Sequence, residues 1–164
     1  NIPPMVSSSL ETPHPIEAEK LLYRSVNALR KQRGLRQLSR FSTFEPLARE
    51  HSAWMAAAGV VAHSLPGTTN GVAKQAGQRY HPRARHYENV AAAYSATEAL
   101  EMVVNSPGHL KALLCDTCTH MSIGAAIEPT LKTQPRLFVT WELLAFPQGV
   151  PKKIERFNKD ETTP

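Results

Sequence analysis

The chain has 164 residues, of which 41% are hydrophobic and 20% are charged, and its 19 basic and 14 acidic residues give a net charge of +5. This length and composition indicate one globular domain with its own core, and no segment reaches the roughly 20 consecutive apolar residues of a membrane-spanning helix. The basic residues are scattered and are not interleaved with aromatic side chains, so we interpret the excess charge as aiding solubility and do not expect nucleic acid as the partner.

An extended lead-in is predicted over residues 1–15, which contain four prolines and several serines and threonines. This segment has no basic start followed by an apolar block, so we identify no export signal in it. Two interpretations follow, a cytoplasmic protein or an exported one whose signal has been removed. The first helix is predicted over residues 16–33, because Leu22, Val26 and Leu29 share one face and Gly34 follows as a terminator.

A second helix is predicted to begin at Ser42 and to end at Gly59. Ser42 is the expected N-cap, because Glu45 three residues later would complete a capping box. Four residues recur at the spacing of one helix face and are predicted to lie against the core: Leu47, His51, Trp54 and Ala58. We interpret His51 as a hydrogen-bonded packing residue rather than a ligand.

The second half of the chain is predicted to contain a long loop, short helices and strands. Residues 65–85 are rich in Gly, Pro, Thr and Arg and are interpreted as a loop with one short helical piece at 72–76. Ser95 and Glu98 form a capping box that opens a helix through residue 104, and Ser106-Pro107 starts another to about residue 114. Strands are predicted over residues 87–94, 119–127 and 136–146, so helices covering an antiparallel sheet are expected.

Both cysteines lie together, as Cys115 and Cys118. One C-x-x-C pair is only half of a zinc ribbon, and it follows a predicted helix rather than opening one as a thioredoxin-like motif does. The alternatives are a local disulfide, which we favour, and two free thiols. His120 lies beside the pair, so a Cys/Cys/His metal site is a further alternative.

Four polar residues stand out because each interrupts an apolar segment: His63, Glu88, His109 and Glu142. A buried ionised carboxylate is costly unless it is paired or faces a wet cleft, so two such carboxylates and two histidines suggest a common site. Imidazoles and carboxylates suit a divalent ion such as zinc. They are equally suited to a hydrogen-bonded network without an ion, and their spacing does not decide between the two.

Four segments taken in order resemble the CAP superfamily, which includes cysteine-rich secretory, venom allergen and plant pathogenesis-related proteins. They are Val-Asn-Ala-Leu-Arg at 26–30, Ala-His-Ser at 62–64, Tyr-Glu-Asn-Val-Ala at 87–91 and Asn-Ser-Pro-Gly-His at 105–109. The bacterial branch with SCP-like extracellular domains is the most similar. The resemblance implies an α+β fold, a three-layer α-β-α sandwich with a central, mainly antiparallel sheet. We therefore predict a CAP-like domain at residues 16–147 and a charged tail at 148–164.

The resemblance also implies an extracytoplasmic protein, secreted or periplasmic, with a cleft of histidines and glutamates that can hold a divalent metal ion. His63, Glu88 and His109 match the family's motifs, whereas Glu142 is assigned to the cleft from its predicted buried charge. The expected metal ligands are His63 and His109, with Glu88 as a further candidate. The sequence departs from the family pattern at Tyr87, where glycine is usual, and at Val103, where tryptophan is usual.

The function we predict is a secreted binding or interaction module that uses this cleft, with a small molecule, a lipid or an extracellular polymer as the partner. The alternative is a metal-dependent hydrolase of peptides or esters, in which zinc activates a water and Glu88 or Glu142 serves as general base. A third class is adhesion to anionic polymer or nucleic acid through the basic loop at residues 79–85. His81 and His86 are interpreted as solvated, with His86 near the cleft rim.

Overall fold

The computed structural model describes residues 14–64, 85–130, 134–146 and 149. The elements are, in chain order, α1 at Pro15–Gln32, β1 at Ser39–Arg40, a 3-10 turn at Ser42–Phe44, α2 at Glu45–Ala58, β2 at Arg85–Ala93, α3 at Ala96–Val104, α4 at Pro107–Leu113, β3 at His120–Ile127 and β4 at Leu137–Ala145. The predicted lead-in, the helical piece at 72–76 and most of the tail lie outside the described residues.

The four strands form one sheet in the order β1-β3-β4-β2. β4 pairs antiparallel with both β2 and β3, and only the two-residue β1 runs parallel to its neighbour β3. The expected mainly antiparallel sheet is therefore confirmed. All nine residues of β4 are buried, because this strand has a neighbour on each side and helices over both faces.

Alternate residues of β4 face two different helical layers. One set, which includes Val139 and Leu143, packs in the main core with Leu22 of α1 and Leu100 of α3. The other set faces α2, where Phe138 clusters with the buried Met55. Helices thus cover both faces of the sheet, which confirms the three-layer α-β-α arrangement.

Helix α2 lies unusually close to the sheet at Gly124. An added Cβ there would come within 2.1 Å of the Arg49 nitrogen and 2.2 Å of the Ala48 carbonyl carbon, both backbone atoms of α2. Ser52 of α2 fixes the contact, since its hydroxyl donates to the Gly124 carbonyl at 2.8 Å and lies 2.8 Å from the Thr140 hydroxyl. Glycine is needed at this position because any side chain would push the helix off the sheet.

The start of α2 corrects one sequence-based prediction. Ser42 lies in the 3-10 turn, and the residue that precedes α2 is Phe44, whose side chain makes no capping hydrogen bond. Phe41 and Phe44 are buried at 0% and 2% exposure, so burial of two aromatic rings decides the local conformation instead of the capping box. The core face is also shifted: Ala58 is exposed, whereas α2 buries Ala48, His51, Ser52, Met55 and Ala56.

Three other predictions from local sequence are confirmed, namely the glycine that ends α2, the cap of α3 and the disulfide. Gly59 ends α2 with φ 69°, a left-handed conformation that glycine adopts without strain. Ser95 caps α3, since its side chain accepts a hydrogen bond from the Glu98 nitrogen at 3.1 Å. The Glu98 carboxylate in turn accepts from the Tyr94 nitrogen at 3.0 Å. Cys115 and Cys118 form the favoured disulfide.

Candidate functional site

A row of polar residues crosses three strands on the face of the sheet that α2 covers. The register places Glu142 of β4 directly between Ser122 of β3 and Glu88 of β2. Directly paired residues point to the same side of a sheet, so both carboxyl groups face the α2 layer. The sequence did not determine this register, and it is what brings the two glutamates together.

The segment after α2 carries His63 to the end of this row. The chain leaves the helix at Gly59, and His51, buried within α2, places its Nε2 atom 2.7 Å from the carbonyl oxygen of Ala62. Because a carbonyl oxygen only accepts, the His51 Nε2 atom carries the proton in this contact. The next residue, His63, then places its Nδ1 atom 2.8 Å from an oxygen of Glu88.

His51 is therefore a positioning residue for the site. Its prediction as a hydrogen-bonded packing histidine is confirmed, since it is 1% exposed and bonded to the backbone. What the sequence did not indicate is which backbone group it holds. The contact to Ala62 fixes the residue immediately before His63, so it restrains where the imidazole can lie.

The buried end of the row is the carboxyl group of Glu142. Burial raises the pKa of Glu142 well above its usual value, and the hydrogen bond and Coulomb interaction with Glu88 raise this pKa further. The raised pKa favours Glu142 as the donor in its hydrogen bond to Glu88, whose other contact is with His63. The three side chains form a carboxyl, carboxylate and imidazole series, which we call the acid–imidazole row.

Exposure increases along the acid–imidazole row. Glu142 is 3% exposed, the Glu88 side chain 9% and the His63 side chain 58%. Solvent therefore reaches the imidazole and the outer part of Glu88, while Glu142 supports them from inside.

His109 is held by a different set of contacts. Helix α4 carries it, the Asn89 side-chain amide donates to its carbonyl oxygen at 3.0 Å, and its Nδ1 atom lies 2.9 Å from the Ser106 hydroxyl. Asn89 follows Glu88 in β2, so its side chain leaves the opposite face of the strand. Among the described residues, no hydrogen bond or ion pair joins His109 to the acid–imidazole row.

The predicted metal ligands do not form a ready-made ion cage. No group of three or more His, Cys, Asp or Glu side chains suited to a metal ion occurs in the described parts of the chain. His63 and Glu88 supply one imidazole and one carboxylate, which suit zinc in kind but not in number. The Cys/Cys/His alternative is wrong, because both cysteines are in the disulfide and His120 contacts the Thr119 hydroxyl at 2.7 Å.

The fold and the row define a class of protein, a three-layer α+β domain with a row of acidic and imidazole side chains at one sheet edge. The model of the CAP family, described as the cysteine-rich secretory protein family, matches residues 23–141. The chain belongs to this family. A comparison with curated proteins finds no significant match.

Three bacterial structures are similar to the chain. An extracellular protein of Bacillus anthracis that contains an SCP domain aligns with a TM-score of 0.65 and 22% identity over 80% of this chain and 41% of its own length. An outer surface protein of Borrelia burgdorferi aligns with a TM-score of 0.63 and 25% identity, over 79% of this chain and 94% of that one. A cysteine-rich secretory protein of Staphylococcus aureus aligns with a TM-score of 0.60 and 16% identity, over 81% and 40%.

This chain therefore corresponds to well under half of the Bacillus and Staphylococcus proteins, and to nearly all of the Borrelia protein. These similar proteins are described as extracellular, outer-surface or secretory. Within the described residues, no helix combines the length and the apolar character that crossing a membrane requires.

Proposed function

We propose that this chain is an extracytoplasmic binding and interaction module whose ligand site is the acid–imidazole row. One observation carries the proposal, the 2.8 Å contact between a solvent-facing imidazole, His63, and the Glu88 carboxylate. The buried carboxyl group of Glu142, whose pKa is raised, lies behind Glu88. The description of the similar bacterial proteins as extracellular or outer-surface supports the location.

The row selects ligands by hydrogen bonding at its exposed end. Nδ1 of His63 is engaged by Glu88, which leaves Nε2 for a ligand, and Glu88 can accept a further hydrogen bond. A ligand that carries both a donor and an acceptor fits these two groups. A small polar molecule, a lipid headgroup and an extracellular polymer segment each provide such a pair.

A divalent ion, with zinc as the first choice, is proposed as a second kind of occupant. His63 and His109 would be its nitrogen ligands and Glu88 an oxygen ligand. Because the described residues offer only His63 and Glu88 in mutual contact, we expect weak zinc binding that strengthens when a ligand supplies further donors.

The second candidate function is hydrolysis of a peptide or an ester at the same cleft. The observation that favours it is the pairing of an exposed imidazole with a carboxylate, an arrangement that orients a general base. Fold does not decide between binding and catalysis, so the two need an assay.

Zinc titration by calorimetry, with wild type, His63→Ala, Glu88→Gln and His109→Ala, tests both proposals. His14→Ala is the matched control, because His14 is exposed and lies at the start of α1. We expect zinc uptake by wild type and by the control, and a loss of at least about tenfold in affinity for His63→Ala, since an imidazole ligand is removed. Unchanged uptake by His63→Ala and Glu88→Gln would place any zinc site elsewhere and contradict the metal proposal.

Activity is measured on the same proteins with chromogenic esters and an unstructured peptide, with and without zinc. Turnover that depends on His63 would establish the hydrolase in place of the binding module. Absence of turnover in a protein that binds zinc supports the binding module. The binding module itself is tested by the side-chain NMR signals of His63. We expect these signals to shift when extracellular polymer or lipid headgroups are added. Signals that shift with neither ligand would contradict the binding module.

A further inference from the structure

A concave surface lies at the opposite edge of the sheet from the acid–imidazole row. A cavity of about 540 Å³ runs between the outer face of α1 and the segment that leads into β1. We call it the α1 groove. β1 and β2 are the two edge strands of the sheet, so the groove next to β1 is separate from the acid–imidazole row, which ends at β2. Its volume lies within the range of ligand-binding clefts.

Three cations lie along one wall of the α1 groove. Lys20, Arg24 and Lys31 are spaced four and seven residues apart on α1 and therefore project from the same helix face. At a rise of 1.5 Å per residue, they spread over about 16 Å of the helix. Arg40 adds a fourth cation from the other wall, and no acidic residue is among those that line the groove.

Two of these cations are available to an anion. Arg40 makes a two-point contact with the Glu45 carboxylate, and Lys20 contacts Glu17 at 3.0 Å. Neither Arg24 nor Lys31 takes part in an ion pair within the part of the chain that the structure describes. The Lys20 pair is exposed on both sides, and such pairs contribute little, so an incoming anion can replace Glu17.

The walls of the α1 groove are held in place by specific contacts. The Asn27 side chain donates to the Leu38 carbonyl at 3.0 Å and accepts from the Leu38 nitrogen at 2.8 Å. This double contact joins α1 to the opposite wall in the manner of a strand pair. The groove is therefore present before any ligand binds, which reduces the entropy lost on binding.

The aromatic residue of the groove is not free to stack on a base. The Tyr23 hydroxyl donates to Glu45 and accepts from the Ile123 nitrogen, and the Arg40 guanidinium lies 5.2 Å from the centre of its ring. Single-stranded nucleic acids are usually held by free aromatic faces alternating with cations. The groove supplies the cations without the free face, which favours a flexible polyanion without bases.

We propose that the α1 groove binds a linear polymer that carries a phosphate in each repeat, with Arg24 and Lys31 as its principal contacts. A row of cations about 16 Å long matches several successive phosphates of a chain better than one isolated anion. The guanidinium of Arg24 suits phosphate because it donates two parallel hydrogen bonds. A concave surface also suits a chain lying within it better than a flat membrane. The proposal is independent of the proposed function of the acid–imidazole row.

The test measures binding of fluorescently labelled inorganic polyphosphate by anisotropy over a range of salt concentrations. Arg24→Gln/Lys31→Gln removes the two available cations. Arg33→Gln/Lys111→Gln is the matched control, because it removes the same charge from two exposed residues outside the groove. We expect at least a tenfold loss of affinity for the groove variant and a smaller change for the control. The slope of log affinity against log salt should fall by about one for each groove cation removed.

Several outcomes would overturn the proposal. Equal losses in the two double variants would mean that only net charge matters, and unchanged affinity in the groove variant would place binding elsewhere, as in the basic loop at 79–85. Oligothymidylate that binds more tightly than polyphosphate in a groove-dependent manner would indicate a nucleic-acid surface. Groove-dependent binding to vesicles containing phosphatidylglycerol, without polyphosphate binding, would indicate a membrane surface. Orthophosphate that competes as well as the polymer would indicate a site for a single anion.

Circular dichroism and the thermal midpoint establish that both double variants are folded. Lys31→Gln alone should show a partial loss of affinity for polyphosphate.

Discussion

Replacing Gly124 by alanine tests how closely α2 packs against the sheet. The new Cβ would lie 2.1 Å from the Arg49 nitrogen, and ordinary contact begins at 3.4 Å, so helix and strand would have to separate by about 1.3 Å. The atoms met are backbone and cannot rotate away. Overpacking of a core costs about 1–3 kcal/mol, and we expect about 3 kcal/mol here because a whole helix must move.

The measurement is thermal and urea unfolding of the purified domain. A loss of about 3 kcal/mol corresponds to a fall in the unfolding midpoint of about 6–12 °C for a chain of this size. Gly108→Ala is the control, because nothing lies within 4 Å of its added Cβ and it is within α4. Alanine there should be neutral or stabilise by up to about 1 kcal/mol. Wild-type stability of Gly124→Ala would refute the close packing of α2.

Three further predictions concern stability. Burial raises the pKa of Glu142, so the stability that comes from protonating this carboxyl group is fully present below about pH 4.5 and is lost as the pH rises through the raised pKa. Glu142→Gln should remove this pH dependence of the unfolding free energy, which amounts to at most about 1.4 kcal/mol per pH unit. Denaturant titrations from pH 4 to 9 check it, and equal slopes for both proteins would contradict it. Ser95→Ala should cost about 1 kcal/mol in urea unfolding by removing the α3 cap, and no loss would show that the cap is not needed. Replacing Cys115 and Cys118 by serine should cost about 2 kcal/mol, since the bond closes a short loop, and the unfolding midpoint of the double variant should no longer respond to reductant.

The positions of most elements were predictable because their signals are local. The predicted first helix at 16–33 differs by one residue at each end from the observed Pro15–Gln32. Gly59 and the Ser95 cap act within a single turn of chain, so neighbouring residues are sufficient to predict them. The prediction of Ser42 as the cap of α2 was wrong because Phe41 and Phe44 are buried in the core. The free energy of burying two aromatic rings exceeds that of one capping hydrogen bond.

The candidate site was predictable in composition but not in arrangement. His63, Glu88 and Glu142 were singled out because each is polar among apolar neighbours, and the structure brings these three together. Which oxygen meets which nitrogen depends on the β2–β4 register and on the His51 contact to Ala62. The place of His109 in the site remains a prediction, since its contacts are with Ser106 and Asn89.

The sequence by itself determined the family, the order of helices and strands, and the residue types of the candidate site, because motifs and hydrophobic periodicity are properties of short segments. Tertiary structure alone decided that the pKa of Glu142 is raised by burial, that Glu88 contacts His63, and that the cations of α1 face a groove. These depend on burial and on distances between residues far apart in the chain. Such distances are set when the layers pack, and the electrostatic free energy of each group follows from that packing.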